Sequence, residues 1–284
     1  MTQPHGWLRE QAPVPPARSY FICATPRSGS TLLCERLTAS GIAGSPSEWM
    51  LPSNEGLARE MFGIAPRFAD PTYFAELLTG TASPNGVFGA KLMWPQMAQL
   101  LRGELWNLRI GPPQAGIITL PDLRYIRIVR RDRVRQAVSF LLAQRTNRWQ
   151  RLATQNDPLV AAAQRAGFET GDNVPAGWTL PDIRAMLADP QQRMGLLDDI
   201  AACLTEIEQQ SREWDRFFAA FRAAPCNVEY EDLVANPAAV LARVLRFLDL
   251  ERLAPIDFSR GLLQPMSDGR NAALVAAYMA AHAR

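Results

Sequence analysis

Residues 19–40 read SYFICATPRSGSTLLCERLTAS, and the fold turns on how this stretch divides. Residues 19–25 are a short apolar run rich in β-type side chains and bounded by Pro26, which predicts a buried strand. The five residues PRSGS carry no periodicity and read as a loop. Residues 31–40 place Leu32, Leu33 and Leu37 at helical spacing, with Gly41 as a natural stop. The stretch is therefore a strand, a glycine-bearing loop and a helix, in that order.

Working outward, the same alternation recurs. VFGAKL at 87–92 and YIRIV at 125–129 predict second and third strands, and residues 227–230 a short fourth. Helices are expected over 133–143 and over 237–248, where Pro237 suits a first helical turn. Between them Leu197, Ile200, Leu204, Ile207, Trp214, Phe218 and Phe221 follow three-and-four spacing with Ser211 as the polar gap, a long amphipathic helix packed on the core. Residues 46–81 are mixed and loop-rich. Strands alternating with helices predict an α/β fold with a mostly parallel central sheet flanked by helices. Residues 1–18 read as a polar, proline-bearing tail and 19–284 as one domain. In such sheets ligands bind beyond the carboxyl ends of the strands, where the loop at 26–30 lies.

Composition narrows the chemistry. A net charge of +2 gives no basic stripe for nucleic acid. No basic start with an apolar run marks a signal peptide, and no apolar stretch approaches the ~20 residues that span a bilayer. Cys23, Cys34, Cys203 and Cys226 show no CxxC spacing, which points to a reducing cytoplasm. The two histidines, His5 and His282, sit in the terminal regions, leaving no good candidate for a histidine base or metal site. Lys91 is the one lysine among thirty basic residues.

PRSGST at 26–31 has the parts of an anion cradle. Gly29 allows close backbone approach, the helix start offers N–H groups and a positive dipole end, and Arg27, Ser28, Ser30 and Thr31 add donors. It is not a Walker loop, which closes on GK[ST] and needs a carboxylate to hold magnesium. An anion site without its own metal suits sulfuryl transfer, with two competing readings: a nucleoside or sugar kinase, and a non-catalytic nucleotide-binding module.

SYFICATPRSGSTLL and the following GIAGSPSEW resemble the start of the trehalose sulfotransferase-like family of bacterial sulfotransferases, mycobacterial in type. SPNGVFGAKLMW (83–94) and RIVRRDRVRQAVSF (127–140) match the same family, and VEYEDLVANP (228–237) resembles a segment of sulfotransferases generally. The resemblance implies a P-loop-like sulfotransferase fold, often dimeric. Its donor is 3′-phosphoadenosine 5′-phosphosulfate, its product adenosine 3′,5′-bisphosphate, and no metal is required. It assigns the 5′-phosphosulfate to Arg27, Ser28, Gly29, Ser30 and Thr31, and the 3′-phosphate to Arg131 and Ser139, with Arg270 as a further donor contact. It makes Glu48 the general base; Glu35, inside the helix, is spaced to face away from the loop. Lys91, at a strand end, is placed to neutralise charge on the bridging oxygen or to touch the acceptor. Trp49 and Trp94 are candidates for a sugar-stacking wall. The acceptor implied is a small hydroxylated molecule, such as trehalose or a glycolipid, with its pocket expected from 46–81 and 145–178.

Overall fold

The computed structural model of the chain describes residues 15–70, 72–105, 108–110, 118–149, 175–250 and 268–283. Strand β1 (Arg18–Ala24) leads through the 25–29 loop into α1 (Ser30–Ser40). A single 3-10 turn (Pro52–Asn54) and helices α2 (Glu55–Phe62) and α3 (Tyr73–Thr81) precede β2 (Val87–Met93), which passes directly into α4 (Trp94–Leu101). Two-residue strands β3 (Leu108–Arg109) and β4 (Ile118–Thr119) pair with each other. Then come β5 (Leu123–Val129), α5 (Arg133–Thr146), α6 (Leu180–Ala188) and the 31-residue α7 (Pro190–Ala220). Strand β6 (Cys226–Glu229), α8 (Tyr230–Ala235), α9 (Pro237–Phe247) and α10 (Gly269–His282) complete the described chain.

The main sheet has the order β2-β1-β5-β6 and every pairing is parallel. Alternation along β1 explains the two packed faces. Phe21 and Cys23 join Phe74, Phe88 and Trp214 on one side; Tyr20, Ile22 and Ala24 join Leu33, Leu37, Val240 and Val244 on the other. Each apolar side chain so buried contributes roughly 1.5–3 kcal/mol against exposure. A third cluster joins α5, α6, α7 and α10 through Val138, Leu141, Ile183, Ile200 and Leu274.

Two expectations are corrected. The fourth strand stops at Glu229, and Tyr230 opens α8 instead of closing the strand. The stripe on α7 is partly the one expected. Ile200, Ile207, Trp214 and Phe218 are buried as read, joined by Leu196, Cys203, Gln210 and Phe217, while Leu197 and Leu204 are half-buried and Phe221 is exposed. The helix packs against α5, α6 and the sheet-side core, so its buried face is wider than a single line of apolar residues. Helices α2, α3, α4 and α6 fall where no clear period was read.

Candidate active site

The loop between β1 and α1 is held in a shape the chain would not choose unaided. Arg27 has φ 60 and Gly29 φ 88, both left-handed. For a non-glycine residue that costs roughly 1–3 kcal/mol, sustained only when the surroundings fix it. Here they do. The fully buried Gln136 of α5 donates from Nε2 to the Pro26 carbonyl (2.7 Å) and to Thr25 Oγ1 (2.9 Å), and its own oxygen accepts from Arg133 (3.0 Å). Arg27 Nε donates to Ser139 Oγ at 3.0 Å, and another of its nitrogens donates to the Trp149 carbonyl. At Gly29 the backbone lies against the ring of Tyr230, which a Cβ would overlap.

Around that turn the donors converge. Ser28 is buried and its hydroxyl has no hydrogen-bond partner among the described residues. Ser30 is buried at the first turn of α1, where helix N–H groups lack intrahelical acceptors. Burial, reinforced by the nearby Arg130 charge, lowers the Arg27 guanidinium to about 10, still protonated at neutral pH. An anion seated in the loop would meet a cation, an unused hydroxyl and a helix start, a set that fits a tetrahedral oxyanion.

The second half of the site comes from the edge of the sheet. The 45–49 turn is stitched to β2 and α3: Ser45 N–H donates to Thr81 O (3.0 Å), and Lys91 N–H to Ser47 O (2.8 Å). Asn54 then holds the Glu48 carbonyl at 2.8 Å. This positions Glu48 beside Lys91, whose Nζ lies 2.7 Å from Glu48 Oε1 and donates to Thr31 Oγ1 at 3.0 Å. Lys91 is only 5% exposed, so its charge needs both partners. Base candidate, ammonium and anion loop form one connected chain. The fold thus gathers Arg27, Ser28, Gly29, Ser30, Thr31, Ser139, Glu48 and Lys91.

The remaining candidates are placed elsewhere. Arg131 has a 61% exposed side chain, with its guanidinium among Glu229 (2.9 Å), Asp232 (3.4 Å) and Glu231 (3.8 Å). The Glu231 carboxylate also accepts the backbone N–H groups of Arg131 and Asp132, and three carboxylates leave Arg131 drawn to β6 and α8. Arg270 is bound by Asp268 (2.7 and 2.9 Å) and by the Trp178 carbonyl (3.4 Å), and no described contact joins it to the loop. Trp49 is a core residue, 1% exposed, with Nε1 on the Ser45 carbonyl and its ring edge-on to Phe62, so no face is left for a sugar. Trp94 is partly buried and meets Trp214 edge-on at 5.3 Å. Of the expected acceptor pocket, residues 150–174 lie outside the described residues.

Three residues in or beside this site escaped the sequence reading: Gln136, Tyr230 and Arg130. All stand in the blocks quoted above. A fully buried amide looks like any helix glutamine until its loop partner is known, and Arg130 is one of several arginines in the run at 127–135.

Among the described residues no group of histidine, cysteine, aspartate and glutamate is arranged to hold a metal, and no helix is long and apolar enough to cross a membrane. A family model described as Stf0 sulphotransferase matches residues 19–170 and 179–280. Two curated relatives match over most of the chain and most of their own length. A trehalose 2-sulfotransferase of Mycolicibacterium smegmatis is 29% identical, over 89% of this chain and 91% of its own length. A trehalose 2-sulfotransferase of Mycobacterium tuberculosis is 30% identical, over 84% of this chain and 87% of its own length.

Proposed function

Because the chain belongs to the Stf0 sulphotransferase family, and is thus a sulfotransferase, we propose that it moves a sulfuryl group from 3′-phosphoadenosine 5′-phosphosulfate to a sugar hydroxyl, with Glu48 as general base. The observation that carries this reading is the chain Glu48–Lys91–Thr31, which joins a carboxylate to the anion loop by contacts of 2.7 and 3.0 Å. The names of the two relatives support a sugar, trehalose first, as the acceptor.

The loop fixes the sulfuryl group, with Ser28, Ser30 and the first turn of α1 facing its oxygens and Arg27 across it. The acceptor oxygen attacks sulfur in line as Glu48 takes its proton. A new O–S bond forms while the bond to the bridging phosphate oxygen breaks, and adenosine 3′,5′-bisphosphate departs with that electron pair. Lys91 faces the charge that gathers on the leaving oxygen, a preorganised cation that need not be brought from solution. Its bond to Glu48 keeps the carboxylate aimed until the acceptor proton arrives. No step calls for a metal ion. The four cysteines, buried and free, support a reducing cytoplasm, and the family resemblance supports a homodimer.

The test is transfer of labelled sulfuryl from the donor to a panel of trehalose, other sugars, glycolipids and phenols, with and without magnesium. Label appearing on a sugar only when that sugar is present is the expected outcome. Phosphoryl transfer from ATP that needs magnesium would instead favour the kinase, and nucleotide binding without product the non-catalytic module.

A further inference from the structure

Lys91 is the one lysine of the chain, and folds that move phosphoryl groups between nucleotides also keep a lysine at their anion site. In those folds the ammonium faces the phosphates. Here it is already engaged. Its Nζ lies 2.7 Å from Glu48 Oε1 and donates to Thr31 Oγ1 at 3.0 Å, so a single ammonium joins the carboxylate to the loop. Of the two side chains the carboxylate is the more open, 22% exposed against 6% for Lys91. The backbone fixes the pair as well, with Asn54 donating to the Glu48 carbonyl and the Lys91 N–H to the Ser47 carbonyl. The carboxylate is also felt across the loop. Burial and Arg130 weaken the hold of Arg27 on its proton, and Glu48 is among the groups that strengthen it.

A carboxylate at the front of an anion site limits the charge that the site accepts. A terminal phosphoryl group carries about −1.5 to −2 at pH 7, with its second pKa at about 6. A sulfuryl group, the base of a strong acid, carries a single charge in nearly the same tetrahedral shape. Shape therefore separates the two poorly, and charge separates them well. Like charges set against each other in a partly buried site are costly, and a cation already paired offers little to a second negative charge. We propose that the Glu48–Lys91 pair is a charge filter, which makes the site selective for a sulfuryl over a phosphoryl group at the transferring position of the donor. The reaction keeps its cation all the same. When Glu48 takes the acceptor proton its charge is lost, and Lys91 stands unopposed as the leaving oxygen gains charge. That contact is stronger in the transition state than before it, which is what accelerates a step. This rests on the donor and base readings given above.

The experiment measures nucleotide binding to the parent and to Glu48→Gln by calorimetry, with a metal chelator present and at about pH 8, where a phosphoryl group is fully charged. The ligands are 3′-phosphoadenosine 5′-phosphosulfate, the matching 5′-diphosphate, and that diphosphate with fluorine in place of one terminal oxygen, which removes one charge. Adenosine 3′,5′-bisphosphate, which lacks the transferring group, is the control. The parent is expected to hold the phosphosulfate about ten- to a hundredfold more tightly than the diphosphate, with the fluorinated form close to the phosphosulfate. In Glu48→Gln that gap should close or reverse, because Lys91 is released to the phosphoryl group. The bisphosphate should bind both proteins alike, showing the donor site of the variant to be intact. A Glu48→Gln protein that keeps the parent's preference overturns the filter. So does a fluorinated diphosphate held as weakly as the diphosphate, since the site would then read something other than charge. Should Glu48→Gln fail to fold, Glu48→Ala, which also removes the charge, decides on the same ratio. A parent that binds none of these nucleotides overturns the donor reading itself, whereas a parent that binds them without preference overturns this inference alone.

Discussion

A carboxylate 2.7 Å from a buried ammonium can serve structure or chemistry, and one atom decides between them. Glu48→Gln keeps the side chain's length and an oxygen for Lys91 to donate to, but cannot take a proton. We expect kcat to fall by about 10²–10⁴, the usual contribution of a positioned base, with bisphosphate affinity unchanged. A variant within about threefold of the parent would move the role to another carboxylate. Arg27 gives a second test, through pH. Its charged form is held down to about 10 by burial and Arg130, and a bound anion favours that form. Affinity for bisphosphate should therefore be full below that value and decline as pH rises through it; an Arg27→Ala protein, weaker throughout, should lack that step. At this scale the 26–31 segment was legible as a turn between strand and helix, because what shapes it lies close along the chain. Partners chosen by charges distant in sequence were not legible. Arg131 and Ser139 have a sensible spacing, yet carboxylates at 229, 231 and 232 take Arg131, and Ser139 goes to Arg27. Trp49 carries no mark in sequence to separate a sugar wall from a core residue.

Between residue and domain stands the strand–loop–helix unit, whose turn works only if Gly29 stays glycine. A Cβ there would overlap the Tyr230 ring, and φ 88 disfavours any side chain. Gly29→Ala is expected to push α8 from the loop, weaken bisphosphate binding at least tenfold and lower the melting temperature. A protein with parent-like binding would show that the Tyr230 contact is dispensable. The unit was legible because a buried parallel strand, a glycine turn and a helix stop each leave local chemistry: observed bounds Arg18–Ala24 and Ser30–Ser40 sit within one residue of expectation. Helices α2, α3 and α4 were not legible. They are eight or nine residues long; α3 and α4 pack on β2 through scattered residues such as Phe74 and Met97, and α2 leans on α3 with Ala58 as its one buried residue.

At the level of the whole molecule, the site draws on the carboxyl end of every strand in the main sheet. Strand β1 gives the loop, β2 gives Lys91, β5 leads to Arg130 and Ser139, and β6 leads to Tyr230. The parallel topology was inferred from alternation alone, but which strand ends meet follows from the order β2-β1-β5-β6, and strand order leaves no trace in a single sequence. A ligand seated there touches segments up to two hundred residues apart in the chain, so its binding should stabilise the sheet as one unit and not a local flap. Ligand held only by the folded state adds about 2.7 kcal/mol at a hundredfold excess over Kd. For a domain of this size each kcal/mol moves the midpoint by about 2–4 °C, so bisphosphate should raise Tm by roughly 5–11 °C in a single transition. Adenosine 5′-monophosphate at the same concentration lacks one phosphate and should do markedly less. The comparison is read by calorimetric melting at fixed protein concentration. Equal shifts from both nucleotides would remove the 3′-phosphate from the site, and with it the role given to Ser139. A split transition, with only part of the enthalpy moving, would mean that the strand ends do not bind as one.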